Sequence, residues 1–174
     1  AGAKLAPASK ARYADVMAKL AQLTTQFSQN VLADESSYQL LLRDERDLAG
    51  LPESLRNAAK EAAVARGVND AYAITLSRSL IVPFLTFSER RDLREQVQKA
   101  WASRDEHDGA NDNRTLAVEI LKLRQEQAAL HGYATFADYA LVDRMAGTPS
   151  AVQGLLGKVW KTTKKRAAAE EDAI

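Results

Sequence analysis

The segment YADVMAKLAQLTTQF, residues 13–27, decides the fold class of this chain. Its large side chains recur at three- and four-residue spacing: Tyr13, Val16, Met17, Leu20, Leu23 and Phe27. This spacing forms one apolar stripe along an α-helix. Such a stripe is more typical of a helix packed into a core than of a groove for a partner. We therefore predict a long N-terminal helix, with Ser9 as its candidate cap.

Helical signals continue downstream of this segment. Pro52 suits the first turn of a helix that we expect to run to Arg66. Pro83 lies inside the apolar segment Leu80–Phe87 and limits it to a short turn or helix. Ser88 is the expected cap of the next helix, whose apolar residues are Leu93, Val97, Ala100 and Trp101.

The second half of the chain predicts three more helices. A long one carries apolar residues at positions 116, 120, 123 and 130 and ends at His131-Gly132. Thr135 is placed to cap a short helix, and Thr148-Pro149 opens the last one. The predicted core comprises Leu20, Phe27, Leu93, Trp101, Leu116, Ile120, Leu123 and Tyr139.

Two short segments favour β-structure. Tyr38–Leu42 is apolar and precedes a charged turn, and Tyr72–Leu76 alternates large residues with Ala73 and Thr75. We expect the two to pair as a small ribbon. The predicted fold class is mainly α, a multi-helix domain with a minor β-ribbon, and residues 1–174 form a single helical domain.

Composition limits the classes of function. The chain has 174 residues, 46% of them hydrophobic, a net charge of +1 and no cysteine. These values predict a folded protein and exclude disulfides and cysteine zinc sites. A balanced charge favours neither nucleic acid nor an anionic membrane as a partner. No apolar run approaches the roughly 20 residues that span a bilayer. We expect a cytoplasmic protein.

No segment predicts an active site. His107 lies in a polar loop, and His131 lies at a helix end, where it can face the negative end of the helix dipole. Neither belongs to the H-E-x-x-H pattern that places two zinc ligands one helical turn apart. We predict no catalytic, cofactor-binding or metal-binding residue in this chain.

Three weaker patterns favour structural explanations. The acidic loop of residues 105–113 lacks the chelating Glu of a calcium loop, since position twelve from Asp105 is Leu116. It is expected to be solvated and to cap the next helix with Asn111, Asp112 or Asn113. Gly154–Lys158 lacks the outer residues of a phosphate loop. The basic residues at positions 158–166 precede acidic ones, which favours a solvated helix face over a nucleic-acid site.

Several stretches together carry a family resemblance: Gln26–Ala33, Leu48–Pro52, Arg91–Glu95, and a run from Asn111 through Arg124 to Tyr139. In order and spacing they resemble the thimet oligopeptidase and dipeptidyl carboxypeptidase family of zinc peptidases. LAGLP at 48–52 and NDNR at 111–114 resemble the dipeptidyl carboxypeptidase branch.

The resemblance implies a large, mostly helical, two-lobed enzyme whose channel admits short peptides. A zinc ion in the parent enzyme would activate water, and this branch would release C-terminal dipeptides. The H-E-x-x-H motif of the family has no counterpart here, so this chain is expected to bind no zinc and to be inactive alone.

The chain starts without Met and ends within a predicted helix, which is expected of a fragment. Its expected partner is the C-terminal catalytic part of the same enzyme, and self-association is a second expectation. Both rest on the apolar face of the last helix, at Val152, Leu155, Leu156, Val159 and Trp160. A stand-alone helical interaction module remains the alternative function.

Overall fold

The computed structural model describes residues 2–3 and 5–173, and helices dominate it. The predicted mainly α fold with a minor β-ribbon is confirmed. The helices are α1 (Pro7–Ser37), α2 (Glu53–Val64), α3 (Arg78–Phe87), α4 (Arg91–Ala102), α5 (Arg114–Leu130), α6 (Phe136–Leu141) and α7 (Pro149–Glu171). The other elements are strands β1 (Leu40–Leu42) and β2 (Tyr72–Ile74) and a 3-10 helix, Glu45–Leu48.

The chain divides into two compact units. The central unit is Leu23–Val118, and the terminal unit joins the residues before Leu23 to those from Glu119 onward. Helices α1 and α5 each supply residues to both units. The single helical domain over residues 1–174 stays a prediction.

The ribbon belongs to the central unit. Strands β1 and β2 pair antiparallel, with Leu40 opposite Ile74 and Leu42 opposite Tyr72. Both are shorter than predicted: β1 begins at Leu40 rather than Tyr38, and β2 ends before Thr75. The Thr75 hydroxyl accepts a hydrogen bond from the Ser77 amide at 3.3 Å. This local bond turns the chain towards α3 and ends the strand.

The core of the central unit forms where α2 and α3 pack on the ribbon. Helix α2 buries Leu55, Ala59 and Ala63, which share one face because they are four residues apart. The two alanines have no exposed surface, so the α2 backbone approaches β2 closely. The buried cluster is Leu42, Leu48, Leu51, Leu55, Ala59, Ile74, Leu76, Leu80, Ile81, Phe84, Leu93 and Val97.

A tight turn at Gly50 joins the start of α2 to the end of α3. Gly50 has φ +79°, and a β-carbon built there would lie 2.2 Å from the carbonyl oxygen of Phe87. Next to it, the Ala49 carbonyl accepts a hydrogen bond of 3.0 Å from the Glu89 amide. Only glycine fits this close approach without a shift of the backbone.

Several predicted helix ends differ from the structure. Helix α1 begins at Pro7, so Ser9 lies inside it and caps nothing; proline is well suited to a first helical position. Ser88 follows the last residue of α3, and α4 begins at Arg91 with Arg90, not Ser88, at the cap position; the Ser88 hydroxyl accepts from the Arg90 amide at 3.2 Å. Helix α2 spans Glu53–Val64, slightly shorter than predicted.

The terminal unit buries Val16, Leu20, Ile120 and Ala128. Its two predicted caps are confirmed. The Thr135 hydroxyl accepts from the Asp138 amide, the reciprocal bond is also present, and the Thr148 hydroxyl accepts from the Ala151 amide.

The predicted core is confirmed in part. Leu20, Leu93 and Ile120 are buried. The other five predicted core residues are only half-buried: Phe27, Trp101, Leu116, Leu123 and Tyr139. The central unit is instead built largely on residues around the ribbon, such as Phe84, which has no exposed surface.

Candidate functional site

Helix α7 carries an uncovered apolar face. Every residue from Gln153 to Ala173 is exposed. The exposed fractions are 64% for Leu155, 59% for Leu156, 53% for Val159 and 66% for Trp160. Contiguous apolar faces of this kind usually mark an interface.

The other side of α7 is basic. By helical periodicity, Lys161 and Lys165 lie roughly opposite Val152 and Val159. Near the end of the helix, Arg166 pairs with Glu170 at 2.8 Å. Between residues 152 and 165 the large apolar side chains therefore share one face of the helix, and Lys161 and Lys165 lie on the other.

In the central unit, the two stretches that carry the family resemblance meet through buried amides. The Asn30 side chain donates to the Asn113 side-chain oxygen at 2.9 Å. Asn113 in turn donates to the Phe27 carbonyl at 3.1 Å, and Gln26 donates to the Asn30 oxygen at 2.7 Å. Asn30 and Asn113 are each only 4% exposed. The network ties α1 to the residue that precedes α5.

The connecting loop, residues 103–113, is also attached to α1 by a carboxylate. Both Asp34 oxygens are used: one contacts His107 Nε2 at 2.8 Å, and the other accepts from the Asp105 amide at 3.0 Å. The hydrogen bond to Asp34 and its negative charge raise the pKa of His107 above its ordinary value. Glu35, the next residue on α1, pairs with Arg104.

Asp105, in the connecting loop, has an unfavourable backbone conformation and an unfavourable side-chain environment. It is the single non-glycine residue with positive φ, 57°, among the described residues. Its side chain is 7% exposed, and Oδ1 is buried without a hydrogen-bond partner. Burial and the nearby Asp34 carboxylate raise the pKa of Asp105.

Of the three expected caps of α5, Asn111, Asp112 and Asn113, Asp112 hydrogen-bonds the amide of the first helical residue. Its carboxylate accepts from the Arg114 amide at 2.9 Å, and the Arg114 side chain lowers the pKa of Asp112 to about 2. Asn113, another candidate, uses its side chain in the buried amide network instead. Asp34 and Asp105 were not identified from the sequence. The four-residue spacing of Gln26, Asn30 and Asp34 was the available signal.

Neither histidine is surrounded by metal ligands. His131 stacks on Tyr139 at a ring distance of 4.9 Å and meets Tyr13 edge-on at 5.0 Å. His107 has the single carboxylate contact described above. Among residues 2–3 and 5–173, no group of three or more His, Cys, Asp or Glu could hold a metal ion. The residues present therefore do not fit a zinc ion.

A profile of peptidase family M3 matches residues 84–174. The chain belongs to peptidase family M3. The matched region includes Asn113 and all of α7. No helix in the described part of the chain is long and apolar enough to cross a membrane.

Relatives from two branches of the M3 family match almost the whole chain. Oligopeptidase A of Haemophilus influenzae is 36% identical over 94% of this chain and 24% of its own length. Dipeptidyl carboxypeptidase of Escherichia coli is 34% identical over 100% of this chain and 26% of its own length. The chain thus spans about a quarter of the length of these curated relatives.

Proposed function

We propose that this chain is a non-catalytic, helical portion of a cytoplasmic zinc metallopeptidase. Two observations support the proposal. The described residues contain no cluster that fits zinc, and the chain matches only about a quarter of its M3 relatives. Zinc would then be held by residues of the parent enzyme that lie outside this chain, and the chain alone would neither bind zinc nor cleave peptides.

We further propose that the parent enzyme releases dipeptides from the free C-termini of short peptides. The support is the LAGLP stretch at 48–52 and the NDNR stretch at 111–114, which resemble the dipeptidyl carboxypeptidase branch. In the structure the first stretch contains the Gly50 turn, and the second contributes Asn113 to the buried amide network. The role of the chain would be to supply a rigid scaffold.

The observation that carries the proposal is the uncovered face of α7. Leaving a large apolar side chain in water forgoes roughly 1.5–3 kcal/mol of burial free energy. Leu156 and Trp160 lie one turn apart and are both more than half exposed. The proposed occupant of this face is the catalytic part of the same enzyme, with the lysine face of α7 remaining in solvent.

The test uses the protein translated from the complete reading frame that contains this sequence. We expect it to bind zinc stoichiometrically and to release dipeptides from a peptide with a free C-terminal carboxylate. Amidation of that carboxylate should abolish release. Internal cleavage of the amidated peptide would assign the enzyme to the endopeptidase branch instead.

The same protein tests the α7 interface. A Leu156→Asp, Trp160→Asp variant should lose activity and thermal stability, because two carboxylates cannot be buried against an apolar surface. The matched control is Lys161→Ser, Lys165→Ser on the opposite face, which should behave as wild type. Equal behaviour of the two double variants would refute docking through this face.

The isolated 174-residue chain separates the remaining alternatives. Reversible self-association in sedimentation, abolished by Leu156→Asp with Trp160→Asp, would show that a second copy can cover the face. A chain that stays monomeric, with Trp160 fluorescing as a buried residue, would contradict an open face. A reading frame without a zinc motif would support a stand-alone interaction module.

A further inference from the structure

We propose that Asp34, His107 and Asp105 form a pH-sensitive latch that holds the connecting loop against α1. In the closed latch, one Asp34 carboxylate binds the His107 ring and the Asp105 amide together. Protonated His107 closes it, and loss of that proton favours release of the loop. The inference does not depend on the proposed peptidase function.

The geometry makes Asp34 the centre of the latch. Its two oxygens lie 2.8 Å from His107 Nε2 and 3.0 Å from the Asp105 nitrogen. The two contacts come from residues on the same loop, so one carboxylate fixes both ends of a short segment. His107 remains half exposed, which leaves its ring open to exchange protons with solvent.

The strained conformation of Asp105 in the closed latch favours opening. Its positive φ is unfavourable for a residue with a side chain, and such strain persists only where the surroundings enforce it. Its buried Oδ1 has no hydrogen-bond partner, which adds a desolvation penalty. The contacts to Asp34 help to hold this strained conformation, together with the Asn113 amide, which donates to the Asp105 carbonyl at 2.9 Å.

The charges around the latch explain why protonated His107 binds Asp34 more strongly than neutral His107 does. Asp34 and Glu35 face the loop from α1, while Asp105 and Asp112 lie on the loop itself. Arg104 pairs with Glu35, and Arg114 binds Asp108 and Asp112. Tyr38, Asp34 and His107 line the same cleft. His107 is the cation of this set that contacts Asp34, and it is charged only when protonated.

The sign of the pH dependence follows from linkage. The folded pKa of His107 is raised above the ordinary value of 6.5 by its bond to Asp34. The stabilisation is therefore complete below pH 6.5 and is lost as the pH rises through the folded pKa. The raised pKa of Asp105 acts in the same direction, because ionised Asp105 is disfavoured in the folded state.

The experiment follows the His107 ring and the Asp105 amide by NMR in the 174-residue chain. We expect the ring to titrate with a midpoint above 6.5. Hydrogen exchange at the Asp105 amide, corrected for its intrinsic pH dependence, should accelerate through the same midpoint. Linkage fixes the size: the opening constant should change about tenfold for each unit by which the measured pKa is raised.

Two variants complete the test. His107→Gln should remove the change in corrected Asp105 exchange that follows the His107 midpoint, whereas Glu106→Gln, a neighbouring charge change on an exposed residue, should preserve the wild-type profile. If His107→Gln fails to fold, the wild-type titration alone still decides. A His107 midpoint at or below 6.5, or Asp105 exchange that ignores the His107 midpoint, would overturn the proposal.

Discussion

Replacing Gly50 with alanine should destabilise the central unit strongly, for two separable reasons. At φ +79° an added side chain costs roughly 1–2 kcal/mol in backbone strain. The new β-carbon would also lie 2.2 Å from the Phe87 carbonyl oxygen, so the turn must shift. That shift breaks the hydrogen bond from Glu89 to Ala49, a further loss of roughly 0.5–1.5 kcal/mol. We expect a total loss of about 1.5–3.5 kcal/mol in the free energy of unfolding.

Gly67 provides the matched control. It has nearly the same backbone conformation, φ +76°, but no atom lies within 4 Å of a β-carbon built there. Gly67→Ala should therefore cost only the strain of roughly 1–2 kcal/mol. Urea unfolding of both variants, followed by circular dichroism, measures the difference. Equal losses would show that the close contact with Phe87 contributes nothing and would refute this reasoning.

Two further predictions concern packing and the buried amides. Ile120→Ala should cost roughly 2–5 kcal/mol because Ile120 is buried, while Leu123→Ala should cost clearly less because Leu123 is half-buried; urea unfolding compares them. Asn113→Ala should cost roughly 1–3 kcal/mol, since it leaves the Asn30 amide buried without its partner. Adding Asn30→Ala should then cost less than Asn30→Ala costs alone, and additive losses in this thermal or urea double-mutant cycle would contradict a direct coupling.

Periodicity predicted most of the secondary structure, because helix faces depend on the repeat of apolar residues rather than on single identities. It could not place the boundaries that depend on one hydrogen bond. Serine is a residue type that often caps helices, but α4 starts after Arg90, later than predicted, and the Ser88 hydroxyl accepts from the Arg90 amide. Strand β2 ends early for the same reason, since the Thr75 hydroxyl bonds locally to Ser77.

The core was harder to predict than the helices. An apolar stripe predicts which residues share a face of the helix, but not how many other elements pack against that face. Trp101 and Leu123 lie on predicted inner faces and are only half-buried. Ala59 and Ala63 were not expected in the core, although their small size lets α2 approach the ribbon. Partners distant in the chain decide burial, and a single helix does not encode them.

Two of the stretches that carry the family resemblance contain residues whose type is tightly constrained by the structure, Gly50 and Asn113. At Gly50 the backbone conformation and the contact with Phe87 exclude a side chain. At Asn113 a short amide must accept from Asn30 and donate to Phe27 at the same time, which few side chains can do. Apolar helix faces accept many substitutions of similar volume and so carry less family information. Two of the stretches that carry the resemblance therefore lie where the structure restricts the choice of residue.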